Sequence, residues 1–342
     1  MRIRWNIRYA ALVAVAATAL AATGCAGGDG EDTSAGTQER YYLSLGDSLT
    51  VGVQPTEEGP GAETADGYTD ILYRTLYDGD STLRHERSGC GGEDTTTFLE
   101  GGIPRCGERY DGRSQIEVAE EFLAEHEGRV DLVTLTIGGN NFTGCVVGID
   151  NVETGGRPVV DTACIDEGLE RIESEVPEIA SRLRAAAGPD TQIIAMTYYN
   201  PFLAAMLLEA GEPADGEEDT ADGGEAEPSE AATIDPEAGP GLGEVEGEIP
   251  FDATFAGYAT EVLQTLNESL REAYAAEDID VADVEAAFDS ADFDVPEEGA
   301  MPVNLQAICD YTWMCNVDLG PDIHTNKAGA TVIAEEFAAL VH

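Results

Sequence analysis

The stretch Tyr41-Tyr42-Leu43-Ser44-Leu45-Gly46-Asp47-Ser48-Leu49 decides the architecture: a short apolar run that stops at glycine, aspartate and serine. Tyr41 to Leu45 is long enough for a buried strand and too short for a helix, and the glycine after it signals a turn. Val130 to Ile137, Gln192 to Thr197 and Ile279 to Val284 repeat the pattern. Between these runs the apolar residues recur at helical spacing. Tyr68, Ile71, Leu72 and Leu76 fall on one face, as do Ile116, Ala119, Phe122 and Leu123. Leu169, Ile172, Val176, Ile179 and Leu183 form a third stripe, in which Pro177 is expected to introduce a kink. Phe255, Tyr258, Val262, Leu263, Leu266 and Leu270 form the longest, and a last helix is expected from about Asn326 to the C-terminus. Strands alternating with helices of this length predict one α/β domain, from about residue 40 to 342, with a parallel sheet covered on both faces.

In such a sheet ligands bind beyond the C-terminal ends of the strands. Three of the expected strands lead there into unusual residues: Gly46-Asp47-Ser48-Leu49, then Gly138-Gly139-Asn140-Asn141-Phe142, then Tyr198-Tyr199-Asn200-Pro201-Phe202. Pro321-Asp322-Ile323-His324 precedes the last helix. His342 is terminal, and His85 and His126 stand in segments without other catalytic-type residues. Each signal alone has a plain structural alternative. The serine could cap a helix, the Gly-Gly-Asn-Asn run could end a strand, and His324 could pack. Their order and spacing along the chain carry more than any one of them alone. A serine hydroxyl attacks only when an imidazole takes its proton, and the resulting tetrahedral anion needs fixed donors. The Gly-x-Ser-x-Gly elbow of the α/β-hydrolases is absent.

The order and spacing of these blocks resemble the SGNH (GDSL) hydrolase family over nearly the whole chain from Tyr41 to His342, with residues 209–250 as an insertion. The six cysteines after Cys25 and the Tyr-Tyr-Asn-Pro-Phe segment resemble a secreted actinobacterial esterase/lipase branch. The resemblance implies a three-layer α/β sandwich with a five-stranded parallel sheet, the flavodoxin-like SGNH hydrolase fold. It implies Ser48 as nucleophile and His324 as base. The oxyanion hole would combine the N–H groups of Ser48 and Gly92, with Gly89 as the alternative glycine, and the side-chain amide of Asn140. Asn141 stands where the family more often has Asp. The family's last block is Asp-x-x-His, but Pro321 occupies the aspartate's place, which leaves Asp322, Asp318 or a main-chain carbonyl to orient His324. No metal or organic cofactor is implied. The expected activity is carboxylester hydrolysis, as an esterase or lipase, through an acyl-enzyme. The alternatives are an O-deacetylase of polysaccharides with the same fold and a non-catalytic solute-binding lipoprotein, which has no need of Ser48, Asn140 and His324 together.

Charge and cysteines narrow the setting. Acidic residues number 68 against 17 basic ones, a formal net charge of -51, and Lys327 is the sole lysine. Such a surface repels phosphate backbones and excludes a nucleic-acid partner. It fits either work in high salt, where screening weakens self-repulsion, or a compositional preference of the host. Residues 209–250 carry fifteen Asp or Glu and no basic residue, and a disordered loop is expected there. Arg2, Arg4 and Arg8 precede an apolar stretch, Tyr9 to Ala22, too short to span a bilayer; residues 1–25 read as a signal peptide. Its end, Ala22-Thr23-Gly24-Cys25, resembles a bacterial lipobox with Cys25 as the lipidated residue, followed by a flexible tether over 26–39.

The other six cysteines allow fifteen pairings. Short-range bonds are expected: Cys90 with Cys106, Cys145 with Cys164, and Cys309 with Cys315, as in an oxidising compartment. No compact Cys/His cluster suggests a metal site. The expected protein is a secreted monomer acting on a small-molecule or lipid ester. An N-terminal lipid at the outer face of the bacterial cell membrane would be its membrane contact.

Overall fold

The computed structural model describes residues 38–57, 59–147, 159–200, 203, 242, 247–250, 255–297 and 300–342. The expected signal peptide, Cys25, nearly all of the tether and most of 209–250 lie outside the described residues. In chain order the strands are β1 (Arg40–Gly46), β2 (Val53–Thr56), β3 (Gly59–Glu63), β4 (Leu83–Arg87), β5 (Val130–Thr136), β6 (Val146–Val147), β7 (Val159–Asp161), β8 (Gln192–Met196), β9 (Glu248–Pro250) and β10 (Asp280–Ala282). The central sheet is five-stranded and parallel, in the order β10-β8-β5-β1-β4. At its centre Leu43 stands between Glu86 of β4 and Val133 of β5.

Four of these strands fall at the apolar runs read from the sequence, with ends that differ by one or two residues. The fifth, β4, reads Leu-Arg-His-Glu-Arg and carries no apolar run. It is an edge strand paired with β1 alone, so its alternate side chains remain in solvent and only Leu83 is fully buried. His85 on this strand stacks on Tyr42 and meets Ser44 Oγ at 2.9 Å. Burial, with help from the Arg87 charge, lowers its pKa to about 3, so His85 is neutral and packs against the core through Tyr42.

The direction of each crossover fixes the layers, because strand–helix–strand connections in parallel sheets are right-handed. From β1 the chain moves outward to β4 through the helix Tyr68–Gly79. It then reverses across β1 to β5 through Gln115–Glu125, and continues to β8 through Thr162–Ala187 and to β10 through Phe255–Ala275. These last three helices pack successively on one face, and Tyr68–Gly79 packs with the C-terminal helix Lys327–Leu340 on the other. The reversal makes β1 and β5 a topological switch point, the place where open α/β sheets bind ligands. Thr162–Ala187 runs through Pro177 as one helix, with Ile165, Ile172, Val176, Ile179 and Leu183 forming its buried stripe.

Two antiparallel units flank the sheet, the β2–β3 hairpin and the β6-β7-β9 sheet. The latter corrects the expectation for 209–250: Glu248–Pro250 pair with Val159–Asp161. Backbone groups can complete a ladder whatever the charge of the surrounding segment. Disulfides join Cys90 to Cys106, Cys145 to Cys164, and Cys309 to Cys315.

Gly46 is where β1 meets the site. Its φ is +125°, and a Cβ there would lie 2.0 Å from Thr136 O. Its N–H donates to Gln115 Oε1 at 2.6 Å, and its carbonyl accepts from Gln115 Nε2 at 3.1 Å and from Cys90 N at 2.9 Å. Gly46→Ala adds backbone strain and a collision with main chain, with an expected loss of about 3 kcal/mol or more. Denaturant midpoints of variant and parent would measure it; a loss under about 1 kcal/mol would contradict the close approach.

Candidate active site

The loops after β1 and β5 supply the first two parts of the site. Beyond Gly46, Asp47 N donates to Thr136 O at 3.0 Å. The Asp47 carboxyl is 2% exposed and accepts from Leu49 N at 2.9 Å, Thr136 Oγ1 at 3.1 Å and Tyr198 OH at 2.6 Å. Burial raises its pKa, against the opposing pull of these three donors and the His324 charge. The turn bearing Ser48 is therefore fixed from below by the ends of β1, β5 and the segment after β8.

After β5, Gly139–Phe142 forms a single 3-10 turn. Asn140 Nδ2 donates to Glu93 O at 3.0 Å while its Oδ1 accepts from Thr143 Oγ1 at 3.3 Å. This fixes which end of the amide is the donor and leaves its second N–H for another acceptor. Asn141 turns the other way: its Oδ1 accepts from Thr95 N at 3.1 Å and its Nδ2 donates to Thr95 Oγ1 at 2.7 Å. Thr95 Oγ1 in turn donates to Glu175, so Asn141 must be the donor to it, and an ionised Asp could not take that place.

The third part is the loop 89–92. Gly92 has φ +87°, and among the described residues neither its N–H nor that of Ser48 has a backbone acceptor. The Cys90–Cys106 bond ties this loop to the helix Pro104–Arg109. Arg105 Nε donates to Gly91 O at 3.1 Å, and Arg109 donates to Gly89 O. Gly89 packs against Thr50, where a Cβ would lie 2.5 Å from Thr50 Cγ2.

His324 completes the set. Its Nδ1 meets Asp322 Oδ1 at 2.7 Å, and its backbone N–H donates to the same oxygen at 2.8 Å. A carboxylate only accepts, so Nδ1 carries the proton and Nε2 is left as an acceptor. Burial pushes the Asp322 pKa up, but the hydrogen bonds and charge of His324 outweigh it and hold the carboxyl below its usual value. Asp318, the other candidate, is exposed, and its N–H donates to Asn316 Oδ1.

Ser48, Gly92, Asn140 and His324 line one cleft of about 310 Å³, together with Glu63 and Arg105. Ser48, Asn140 and His324 also line a smaller recess of about 110 Å³, walled by Leu49, Tyr198, Tyr199 and Ile323. Gly89 lines neither. The structure thus gathers the sequence candidates Ser48, Gly92, Asn140 and His324 around one space, with Asp322 bonded to His324. Sequence reasoning did not find the supporting residues Asp47, Gln115, Glu93 and Arg105. Glu93 carried a signal, an acidic residue inside a glycine-rich block; Gln115 and Arg105 carried none.

Glu93 is 1% exposed, and among the described residues its Oε2 has no hydrogen-bond partner. Burial, reinforced by the Asp94 and Asp47 charges, raises its pKa from 4.5 to about 7. The folded chain therefore holds this proton up to about pH 7, whereas the unfolded chain releases it near pH 4.5. The resulting stability is complete below pH 4.5 and lost as pH rises through 7, by about 3 kcal/mol in all. Glu93→Gln removes this dependence. The stability of the variant relative to the parent should rise by about that amount between pH 4.5 and 8, read from denaturant melts. A difference that stays flat with pH would show Glu93 ionised in the folded chain.

No curated protein matches the chain in sequence. Among solved structures, it is similar to an extracellular lipase from Streptomyces rimosus, at 15% identity and TM-score 0.46, over 88% of this chain and 99% of that one. An α/β hydrolase enzyme from the metagenome of Lake Arreo, Spain, matches at 15% identity and TM-score 0.44, over 88% and 94%. An acetylxylan esterase from Geobacillus stearothermophilus matches at 14% identity and TM-score 0.41, over 88% and 94%. The sequence model of one family extends over residues 44–332, from within β1 into the last helix, and spans every part of the site just described. On that match, the chain belongs to the GDSL-like lipase/acylhydrolase family.

Proposed function

We propose that this chain is a serine carboxylester hydrolase that acts on short-acyl esters through an acyl-enzyme. The observation that carries the reading is the Asp322–His324 pair at 2.7 Å on a cleft shared by Ser48, Gly92 and Asn140. Ser48 Oγ attacks the ester carbonyl carbon as His324 Nε2 takes its proton. The ionised Asp322 stabilises the imidazolium and holds the ring in the tautomer that leaves Nε2 free. The carbonyl oxygen, now an anion, accepts from the N–H groups of Ser48 and Gly92 and from Asn140 Nδ2. One such donor is worth about 3 kcal/mol in the transition state. The C–O bond to the alcohol then breaks, and His324 returns the proton to the departing oxygen. Water repeats the sequence on the acyl-enzyme and releases the acid.

The recess of about 110 Å³, closed in by Leu49, Tyr198, Tyr199 and Ile323, supports a small acyl group. Its walls are fixed, because Tyr198 OH is held by Asp47 and Tyr199 OH donates to Ile323 O at 2.6 Å. The same recess favours a second reading, removal of acetyl groups from a polysaccharide. The solute-binding alternative falls with the family assignment, since the family hydrolyses esters. The basic and apolar leader, the lipobox-like Ala22-Thr23-Gly24-Cys25 and the three disulfides support export and anchoring through a lipid on Cys25. The cysteines and Tyr198-Tyr199-Asn200-Pro201-Phe202 support the secreted actinobacterial branch.

Purified chain lacking residues 1–25, assayed on p-nitrophenyl acetate, butyrate and palmitate across a salt series, tests the reading. The acetate and butyrate should turn over and the palmitate should not. Ser48→Ala and Asp322→Asn should each lower kcat by about 10³-fold or more. Parent and Ser48→Ala at the same background rate in every salt would overturn the mechanism; palmitate turnover equal to butyrate would overturn the short-acyl assignment.

A further inference from the structure

Arg105 holds a charge that the fold does not use. It lines the catalytic cleft with Ser48, Gly92, Asn140 and His324. Its Nη2 packs against the proposed oxyanion glycine, 2.9 Å from where a Cβ on Gly92 would stand. Both of its hydrogen bonds go to one neutral acceptor, Gly91 O. Among the described residues no carboxylate pairs with it. The acid of the same cleft, Glu63, is already engaged by Arg109 at 2.7 Å and by Arg87 at 3.5 Å. Arg74, Arg129 and Arg184 also lack a carboxylate among the described residues, but of these arginines Arg105 alone lines the cleft that holds Ser48.

The two spaces around Ser48 divide the ester between them. The small recess has room for the acyl group. The larger cleft is left for the alcohol, and Arg105 lines that part. A guanidinium whose charge is not neutralised offers N–H donors to a carboxylate or phosphate oxygen. It also offsets, locally, the repulsion that the surrounding acidic surface imposes on an anion.

Resting on the hydrolase reading above, we propose that Arg105 is a specificity-determining residue that selects short-acyl esters whose alcohol part carries a carboxylate or phosphate group. Gly91 O orients the guanidinium towards that group, so the residue recognises the substrate without taking part in proton transfer.

Two acetate esters of matched shape test this: 4-acetoxybenzoate, which is anionic, and 4-acetoxybenzamide, which is neutral. A 4-acetoxyphenyl phosphate arm separates phosphate from carboxylate preference. The quantity to read is the ratio of kcat/KM, anionic over neutral, in the parent, Arg105→Gln and Arg105→Lys. Glutamine keeps a donor for Gly91 O and loses the charge; lysine keeps the charge. One exposed charge contact is worth about 1 kcal/mol, so the ratio should fall about five-fold in Arg105→Gln and be largely retained in Arg105→Lys. The parent ratio should fall with rising salt towards that of Arg105→Gln. Thermal melts of both variants confirm folding, and because the readout is a ratio, a common loss through the oxyanion loop cancels. Equal losses on both esters would assign Arg105 to loop support alone and overturn the proposal while leaving the hydrolase reading intact. A parent that hydrolyses neither ester would overturn the hydrolase reading, and this inference with it.

Discussion

The site depends on a close approach of two strand ends. At Gly46 the backbone of β1 passes so near Thr136 at the end of β5 that no side chain fits between them. Because there is none, Asp47 N reaches Thr136 O, and the Asp47 carboxyl drops into the core to meet Thr136, Leu49 N and Tyr198. Ser48 follows as the first residue able to point out of the sheet. The chain's reversal at this same pair of strands puts the Asn140 turn beside it. One steric constraint thus links the topological switch point to the candidate nucleophile.

Two buried carboxyls beneath the cleft show how differently one residue type can be housed. Asp47 is surrounded by donors, so an ionised form keeps much of what it loses on leaving water. Glu93 has an oxygen without a partner among the described residues and is cheaper to bury with its proton. Yet Glu93 contributes through its main chain, because its carbonyl positions the Asn140 amide. Its side chain and its backbone therefore answer to different demands.

Most of the sheet was legible because its central strands are buried on both faces and read as apolar runs. β4 was not, since an edge strand with one face in solvent can be built from Arg, His and Glu. The candidate Ser48, Asn140 and His324 were legible from order along the chain, which a shared architecture preserves. The partner of His324 was ambiguous in sequence, with Asp318, Asp322 and a carbonyl all within reach. Only geometry brings Asp322 to Nδ1. Gly92 was preferred to Gly89 within the glycine-rich block, and the structure puts Gly92 on the cleft and Gly89 against Thr50. Arg105 and Gln115 were invisible because their roles are long-range contacts with backbone atoms, and those leave no local pattern.

Asp322 and His324 sit two residues apart, and one carboxylate oxygen of the first accepts from both the backbone and the ring of the second. Acid and base are therefore a single rigid unit, carried on the loop that Cys309–Cys315 closes at one end and that Tyr199 OH holds at Ile323 O. In a triad whose acid and base lie on separate segments, a shift of either changes how strongly the imidazole is polarised. Here a shift of the loop moves both together, so the contact between them is kept while their distance from Ser48 changes. Loop motion would then change how well the base meets Ser48 without loosening its hold on Asp322.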